Sequence, residues 1–316
     1  MAAATIRGFV FPGQGAQTVG MGRDLAQAFP EAKAVFDEVD DALGERLSAL
    51  IWEGQQEGLT LTRNAQPALM ATSLAAMRAL QARGVGVDAA AMVAGHSLGE
   101  YSALAAAGAL ELGDCARLLR IRGQAMQDAV PVGQGAMAAI LGLDLHAVRA
   151  VAAEAAQGAV CEAANDNDPA QVVVSGDRRA VERAADLARA RGAKRAMLLP
   201  VSAPFHCALM APAAERMRAA LADVAIRAPR VPLVANVRAA PVTDPEEIRE
   251  LLVAQVTGAV RWRESVLAMA QAGLAEFWEI GAGKALSGMI RRIDRSLATR
   301  SVGTAEEIEA AVESLS

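Results

Sequence analysis

Short apolar runs alternate with longer amphipathic stretches along the 316-residue chain. Gly8–Phe11 and Ala91–Gly95 have the length and composition of buried strands, and helical periodicity follows them. Strands that alternate with helices are typical of an α/β fold with a largely parallel sheet. The same pattern predicts helices over Pro30–Leu43, Ala65–Arg83, from the second strand to Ala107, and over Asp114–Ala129.

A segment between Pro131 and Pro200 has the order strand, helix, strand, strand, helix, strand. This order is typical of a ferredoxin-like unit. We therefore expect a small ferredoxin-like subdomain over residues 132–200, inserted into a larger α/β-hydrolase-like subdomain made of residues 1–131 and 201–316. The elements expected within and after the insert are strands over Ala136–Leu141, Val160–Ala164, Gln171–Ser175, Ala193–Leu199, Leu233–Asn236 and finally Phe277–Ile280, helices over Leu145–Ala156, Arg178–Arg191 and Leu209–Ala222, and a loop over Asn165–Pro169.

Composition and charge exclude several classes of protein. With 53% hydrophobic and 21% charged residues, the chain is expected to be globular and well packed. A net charge of −5 argues against a nucleic-acid partner, because proteins that bind nucleic acids usually have a strong excess of basic residues. Apolar stretches fall short of the roughly 20 residues that span a bilayer, so we expect no membrane partner. Cys115, Cys161 and Cys207 form neither a disulfide framework nor a metal knuckle, which favours a cytoplasmic location.

Gly95-His-Ser97-Leu-Gly99 is the sharpest local motif, because it stands between an apolar strand and an Ala-rich helix. That is the context of the nucleophile elbow, in which a serine occupies a strained strand-to-helix turn. The free N–H groups at the start of the helix can stabilise a developing oxyanion. The motif predicts that Ser97 is a nucleophile; the alternative is a structural turn.

A nucleophilic serine needs a base, and the chain has three histidines. His146 belongs to a predicted helix of the insert, where a structural role is expected. His96 directly precedes Ser97, so its side chain should point away from the hydroxyl. Elimination leaves His206, on a loop where the larger subdomain resumes; the alternative is a loop histidine without a task.

Two further features leave alternatives open. None of the acids between Ser97 and His206 follows an obvious core strand, so a main-chain carbonyl could orient the imidazole instead. Arg122 lies on a helix 25 positions after Ser97. Its guanidinium could clamp a carboxylate with two hydrogen bonds, or it could belong to a solvated helix face.

No cofactor or metal is expected from the remaining motifs. Gly281-Ala-Gly-Lys284-Ala285 lacks the Ser or Thr and the leading glycine of a phosphate-binding loop. Gly13-Gln-Gly15 lacks the third glycine of a dinucleotide fingerprint.

Five motifs occur in an order that resembles one family over nearly the full chain. They are Phe11-Pro-Gly-Gln-Gly-Ala-Gln, Gly95-His-Ser-Leu-Gly-Glu100, Arg122-Gly123, Ser202-Ala-Pro-Phe-His206 and Gln255-Val-Thr-Gly-Ala-Val-Arg-Trp262. The chain resembles the malonyl-CoA:acyl-carrier-protein transacylases, which load malonyl groups for type II fatty-acid synthesis. Ala16 and Ala282 depart from the family pattern, where Ser and Pro are frequent, and neither is a catalytic position.

The resemblance implies a role for each matching residue. Ser97 would be the nucleophile, His206 its base and Arg122 the partner of the malonyl carboxylate. The remaining implied roles are oxyanion-hole N–H groups from Gln14 and Leu98, a main-chain carbonyl of Gln255 that orients His206, exclusion of an α-methyl group by Phe205, and a contact of Asn165 with the acyl-CoA from the loop of the insert.

The implied function is transfer of malonyl from malonyl-CoA to holo-acyl carrier protein through a malonyl-serine, without a cofactor. We expect a monomer in the cytoplasm. Within the same chemistry the alternative is a discrete acyltransferase of a polyketide synthase; the others are a serine esterase or thioesterase and a non-enzymatic binding module. Arg189, Arg191, Lys194, Arg195, Arg291, Arg292 and Arg295 form two basic clusters. They could steer an acidic carrier protein or could be solvated helix faces.

Overall fold

Two sheets organise the fold in the computed structural model, which describes residues 5–315. The strands are β1 (Arg7–Phe11), β2 (Met92–Gly95), β3 (Gly135–Leu141), β4 (Cys161–Asp168), β5 (Gln171–Asp177), β6 (Arg195–Leu198), β7 (Leu233–Ala235), β8 (Ala240–Val242), β9 (Glu276–Ile280) and β10 (Ala298–Val302). The larger sheet has the order β10-β9-β1-β2-β7-β8, and every neighbouring pair is parallel except β7–β8. The predicted α/β class is therefore confirmed.

Helices cover both the larger sheet and the smaller one. They are α1 (Arg23–Ala28), α2 (Pro30–Leu43), α3 (Leu47–Glu53), α4 (Gln56–Thr60), α5 (Thr62–Ala82), α6 (Gly99–Ala106), α7 (Leu112–Asp128), α8 (Leu145–Ala156), α9 (Arg178–Ala190), α10 (Ala211–Ala222), α11 (Pro245–Thr257), α12 (Trp262–Gln271), α13 (Ala285–Ile293) and α14 (Ala305–Glu313). The long helix α5 is buried along most of its length because it packs between α2 and α7. Within residues 5–315, none of these helices combines the length and apolarity needed to cross a membrane.

The smaller sheet has the order β4-β5-β3-β6 and is antiparallel throughout. Helices α8 and α9 pack against it and against each other. Its apolar core is separate from that of the larger sheet and includes Ile140, Val151, Val172 and Ala184. This is the predicted ferredoxin-like arrangement. The subdomain boundaries at residues 131/132 and 200/201 stay a prediction, and the termini at 1 and 316 lie outside the described residues.

Two strand predictions are wrong. Residues 165–168, expected in a loop, extend β4 to Asp168, because their main chain pairs with β5 although their side chains are polar. Phe277–Ile280 is not the final strand, since β10 pairs with β9 at the sheet edge. Strand β10 is mostly half-buried and contains Arg300, so it lacks the continuous apolar pattern of a central strand.

Strand β4 also contacts the loop before α12 and α12 itself. The N–H of Asp166 donates to the oxygen of Val260 at 2.9 Å, and the N–H of Val260 donates to Ala164 at 2.8 Å. The buried Asp166 carboxylate receives both of its hydrogen bonds from Arg263 Nε, at 3.0 and 3.1 Å. The smaller sheet is thereby fixed against the loop that precedes α12.

Candidate active site

The turn between β2 and α6 holds Ser97 in a strained backbone conformation. Its φ of 54° lies in the left-handed region, which non-glycine residues seldom adopt. The flanking glycines are required by close packing. A Cβ on Gly95 would lie 1.9 Å from the carbonyl carbon of Gly99, and a Cβ on Gly99 would lie 2.3 Å from the oxygen of Phe11. The turn therefore presents the Ser97 hydroxyl beyond the carboxyl end of β2.

His206 lies beside this hydroxyl. Its Nε2 is 2.8 Å from Ser97 Oγ, and its Nδ1 is 2.9 Å from the main-chain oxygen of Gln255 and 3.2 Å from that of Gly258. These oxygens take the position of the carboxylate in a Ser-His-Asp triad. Burial, followed by the charge of Arg122, lowers the pKa of His206 to about 3, so the ring is neutral at pH 7 and can accept a proton.

Arg122 reaches the same hydroxyl from α7 and is 1% exposed. Its Nη2 donates to Ser97 Oγ at 3.1 Å and to Gln255 Oε1 at 2.7 Å, and its Nη1 donates to Gln66 Oε1 at 2.8 Å. The guanidinium carbon lies 5.7 Å from the centre of the Tyr101 ring, within the range of a cation–π interaction. Arg122 is therefore part of the site and not of a solvated helix face. The site holds a buried cation next to the serine.

Sequence reasoning missed Asn236, which fixes the turn from behind. Its Oδ1 accepts a 2.8 Å hydrogen bond from the N–H of Ser97, and its Nδ2 donates to the oxygen of Gly95 at 2.7 Å. Asn236 directly follows β7, the neighbour of β2 in the sheet. Polar residues at the carboxyl ends of adjacent parallel strands share one edge, and that signal could have identified it.

The positions implied for the oxyanion hole lie next to the turn. Leu98 is buried at the start of α6, and Gln14 belongs to the loop after β1. That loop passes so close that a Cβ on Gly13 would lie 2.7 Å from the oxygen of His96. Phe205, 8% exposed, packs into the main apolar core directly before His206. The roles of these residues stay predictions.

The sequence predicts Asn165 on a loop, and this prediction is wrong. Asn165 lies in β4, where it is buried and pairs with Val173 and Val260. The residue of β4 whose side chain reaches the turn is Asn167, with its Oδ1 2.8 Å from His96 Nε2. The side chain of His96 is thus directed toward β4. A contact of Asn165 with an acyl-CoA stays a prediction.

The arrangement can support covalent catalysis by an activated serine. A neutral imidazole can remove the hydroxyl proton, helix N–H groups can stabilise an oxyanion, and a buried guanidinium can hold an anionic acyl group. Within residues 5–315, no group of three or more His, Cys, Asp or Glu side chains is placed to hold a metal ion.

Comparisons with known proteins agree with one another. The acyl transferase domain family matches residues 8–310. A malonyl CoA-acyl carrier protein transacylase of Bacillus subtilis (strain 168) is 46% identical over 308 residues, which cover 97% of this chain and 96% of the relative. An acyl-carrier-protein-S-malonyltransferase from Bartonella henselae has a TM-score of 0.96 at 55% identity, with 98% of this chain and 99% of the other covered. A malonyl-transacylase in complex with a type II PKS acyl-carrier protein has a TM-score of 0.95 at 43% identity, with 98% and 100% covered.

The fold, the serine site and the family match define an acyltransferase. The agreement extends over nearly the whole chain in both sequence and structure. The chain belongs to the malonyl CoA-acyl carrier protein transacylase family.

Proposed function

We propose that the protein transfers a malonyl group from malonyl-CoA to the phosphopantetheine thiol of holo-acyl carrier protein, through a malonyl ester on Ser97. The observation that carries this proposal is the buried guanidinium of Arg122, with Nη2 3.1 Å from Ser97 Oγ. A buried charge is unfavourable without a partner, so the site favours an acyl group that brings an anion. Malonyl-CoA ends in a carboxylate, whereas neutral acyl thioesters do not.

In the first half-reaction, His206 Nε2 takes the proton of the Ser97 hydroxyl while Oγ attacks the thioester carbon. The N–H groups of Gln14 and Leu98 stabilise the oxyanion of the tetrahedral intermediate. When the C–S bond breaks, the proton on His206 passes to the leaving sulfur and coenzyme A departs as a thiol. The products are a malonyl-serine ester and a neutral His206.

In the second half-reaction, His206 takes the proton of the phosphopantetheine thiol. The thiolate attacks the ester carbon, the bond from that carbon to Oγ breaks, and the proton returns from His206 to Ser97. The main-chain oxygen of Gln255 keeps the ring in the required tautomer in both steps, as its 2.9 Å distance from Nδ1 supports. His206→Ala is expected to slow ester formation by about 10²–10⁴-fold, the usual contribution of a general base.

Transfer to a carrier protein tests the function directly. Enzyme is loaded with radiolabelled malonyl-CoA, freed of excess substrate and mixed with holo-acyl carrier protein, with the apo form, which lacks the thiol, as the control. Label is expected on the holo form alone. Rapid loss of label to water, without transfer, would favour the esterase or thioesterase alternative.

The same experiment addresses the biosynthetic context. One structural neighbour is a malonyl-transacylase in complex with a type II PKS acyl-carrier protein. A polyketide carrier protein is therefore the second candidate acceptor of the malonyl group. Comparing kcat/KM for a fatty-acid and a polyketide carrier protein decides between them. A monomeric state and a cytoplasmic location stay predictions, as does the lack of a nucleic-acid or membrane partner.

A further inference from the structure

A buried carboxylate, Glu100, lies beneath the nucleophile turn in the first turn of α6. It is 2% exposed. Its Oε1 accepts a 2.9 Å hydrogen bond from the N–H of Asn236, and its Oε2 accepts one from the side-chain amide of Gln255. A carboxylate this deeply buried is unfavourable unless its oxygens are satisfied, and here each receives an N–H donor. The proton-transfer steps proposed above do not use Glu100.

The side chain of Gln255 connects Glu100 to the reacting groups. Besides its bond to Glu100, Nε2 donates to the main-chain oxygen of Ser97 at 2.9 Å. Oε1 accepts from Arg122 Nη2 at 2.7 Å. The main-chain oxygen of Gln255 accepts from His206 Nδ1. One residue therefore contacts the nucleophile, the carboxylate-binding cation and the base.

The charges at the two ends of the Gln255 amide determine its orientation. Rotation by 180° would exchange Oε1 and Nε2 with little change in shape. Reversed, the amide would direct N–H donors at the Arg122 guanidinium, which only donates, and an oxygen at Glu100, which only accepts when ionised. Ionised Glu100, Arg122 and the main-chain oxygen of Ser97 together exclude the reversed amide. Protonation of Glu100 would remove one acceptor and weaken this exclusion.

We propose that the Glu100 carboxylate is a positioning residue for malonyl transfer: it orients the Gln255 amide, which holds the Arg122 guanidinium and the Ser97 main chain in place for the acyl carboxylate. The inference rests on the proposed function, because the malonyl carboxylate is the group that Arg122 receives. It predicts that the ionisation state of Glu100 controls the use of malonyl-CoA.

The surroundings of Glu100 make this control visible near neutral pH. Burial raises the pKa of Glu100 to about 7, against the opposing effects of its hydrogen bonds and of Arg122. Among residues 5–315, the other charged or titratable groups around the cluster are Arg122 and Cys115 from α7, Tyr101 from α6, and His96 and His206 from the adjoining turn and loop. Burial raises the pKa of the Cys115 thiol. Burial raises the pKa of Tyr101 and lowers those of both histidines, and an arginine stays charged. Glu100 is therefore the member of this cluster that titrates near pH 7.

The direction of the pH effect follows from the sign of this shift. Above about pH 7 Glu100 is ionised and the amide is fixed. Below it, Glu100 gains a proton, and kcat/KM for malonyl-CoA should fall to a lower plateau. Glu100→Gln should sit on that plateau at every pH. Losing one hydrogen bond to a charged group corresponds to a rise in KM for malonyl-CoA of about tenfold or more, with a smaller change in kcat.

Glu279→Gln is the matched control. Glu279 is another fully buried carboxylate, on β9, and accepts N–H bonds from Leu286 at 3.0 Å and Ser287 at 2.7 Å at the start of α13. The control should change the temperature of unfolding without moving the pH profile or the KM for malonyl-CoA. Glu100→Asp, which stays ionisable, should keep a pH inflection.

The experiment measures kcat/KM for malonyl-CoA from about pH 5.5 to 8.5 in wild type and the three variants, with circular dichroism at each pH. The proposal is overturned if Glu100→Gln keeps the wild-type inflection, or if Glu279→Gln alters the profile in the same way. Should Glu100→Gln not fold, a wild-type profile flat through pH 7 overturns it equally. Wild type that forms no malonyl ester at any pH contradicts the proposed function itself, which distinguishes the two failures.

Discussion

Ser97 and His206, 109 positions apart, both hold their backbones in the left-handed region, with φ values of 54° and 58°, and their side chains meet at 2.8 Å. Residues that carry a Cβ seldom adopt this backbone conformation because the Cβ approaches the neighbouring carbonyl oxygen. The hydrogen bonds around the turn and the packing around His206 maintain it. The Ser97–His206 pair is thus placed at a cost in backbone energy.

That cost predicts an order of stability among substitutions. Ser97→Gly should be about 1 kcal/mol more stable than Ser97→Ala, since glycine adopts a positive φ without a Cβ contact. Urea unfolding followed by circular dichroism measures the difference. Gln157, at the end of α8, has a φ of 48° and lies far along the chain from the site. It is the positive control: glycine should also be more stable than alanine at this position. Equal free energies of unfolding for Ser97→Ala and Ser97→Gly would contradict the proposed backbone strain.

Arg122→Ala should lose malonyl transfer and shift the preference toward neutral acyl groups such as acetyl. The carboxylate would lose its partner, and the penalty for lacking a carboxylate would disappear. The measurement is kcat/KM for malonyl-CoA and acetyl-CoA. Arg117→Ala on the same helix is the control, because Arg117 is half exposed and pairs with Asp114 at the surface. An Arg122→Ala enzyme that still favours malonyl-CoA would exclude the clamp.

Phe205→Ser should narrow the preference of wild type for malonyl-CoA over methylmalonyl-CoA. The ring, placed directly before His206, would fill the space that an α-methyl group needs. One methyl group in a pocket changes the free energy of discrimination by roughly 1–3 kcal/mol, or about 10–200-fold. Competition between the two thioesters measures the ratio. Equal use of both by wild type would argue that Phe205 only packs the loop.

The two basic clusters, at residues 189–195 and 291–295, lie at one end of the smaller sheet. Arg195 on β6 and Asp168 on β4 are in register across that end, and Asp168 binds Arg292 of α13 at 2.8 Å. Arg292 and Arg191 already pair with carboxylates, so charge reversal there would also disturb the fold.

Substitution of Arg195 and Arg295, which are exposed, tests the docking of the carrier protein with less effect on the fold. Arg195→Glu and Arg295→Glu should raise the KM for holo-acyl carrier protein at low salt and leave acylation by malonyl-CoA unchanged, because the steering of an acidic partner is electrostatic. Arg78→Glu, on α5, is the control, because Arg78 is exposed and its side chain donates to the neutral Gln81. Wild-type transfer by both variants at low salt would assign these arginines to the solvated surface.

Local sequence patterns predicted much of this fold. Helix α2 and helix α8 have the bounds that the sequence predicts, because their apolar periodicity and their end signals coincide. A five-residue motif predicted Ser97 and elimination predicted His206 as the candidate nucleophile and base, and the structure places their side chains 2.8 Å apart. In contrast, β4 continues through polar residues because its main chain pairs with β5 and Val260, which no local pattern shows.

The supporting network was not predictable for the same reason. Glu100 and Asn236 are joined by a hydrogen bond across 136 positions, and Gln255 meets Glu100 across 155. Such contacts depend on the order of strands in the larger sheet, which brings the end of β7 next to the turn after β2. The sequence shows that Asn236 follows a strand, but it does not show the strand order that places this residue beside Glu100.

The identity of the malonylated residue tests the central claim most directly. Protein is incubated with malonyl-CoA, quenched in acid, digested, and the modified peptide is sequenced by mass spectrometry. We expect malonyl on Ser97 and no adduct in Ser97→Ala. Cys207 is the nearest competing nucleophile in sequence to the base, but burial raises its pKa to about 11, so its thiol stays protonated. Malonyl on Cys207 or on any other side chain, or an adduct that persists in Ser97→Ala, would contradict the assignment.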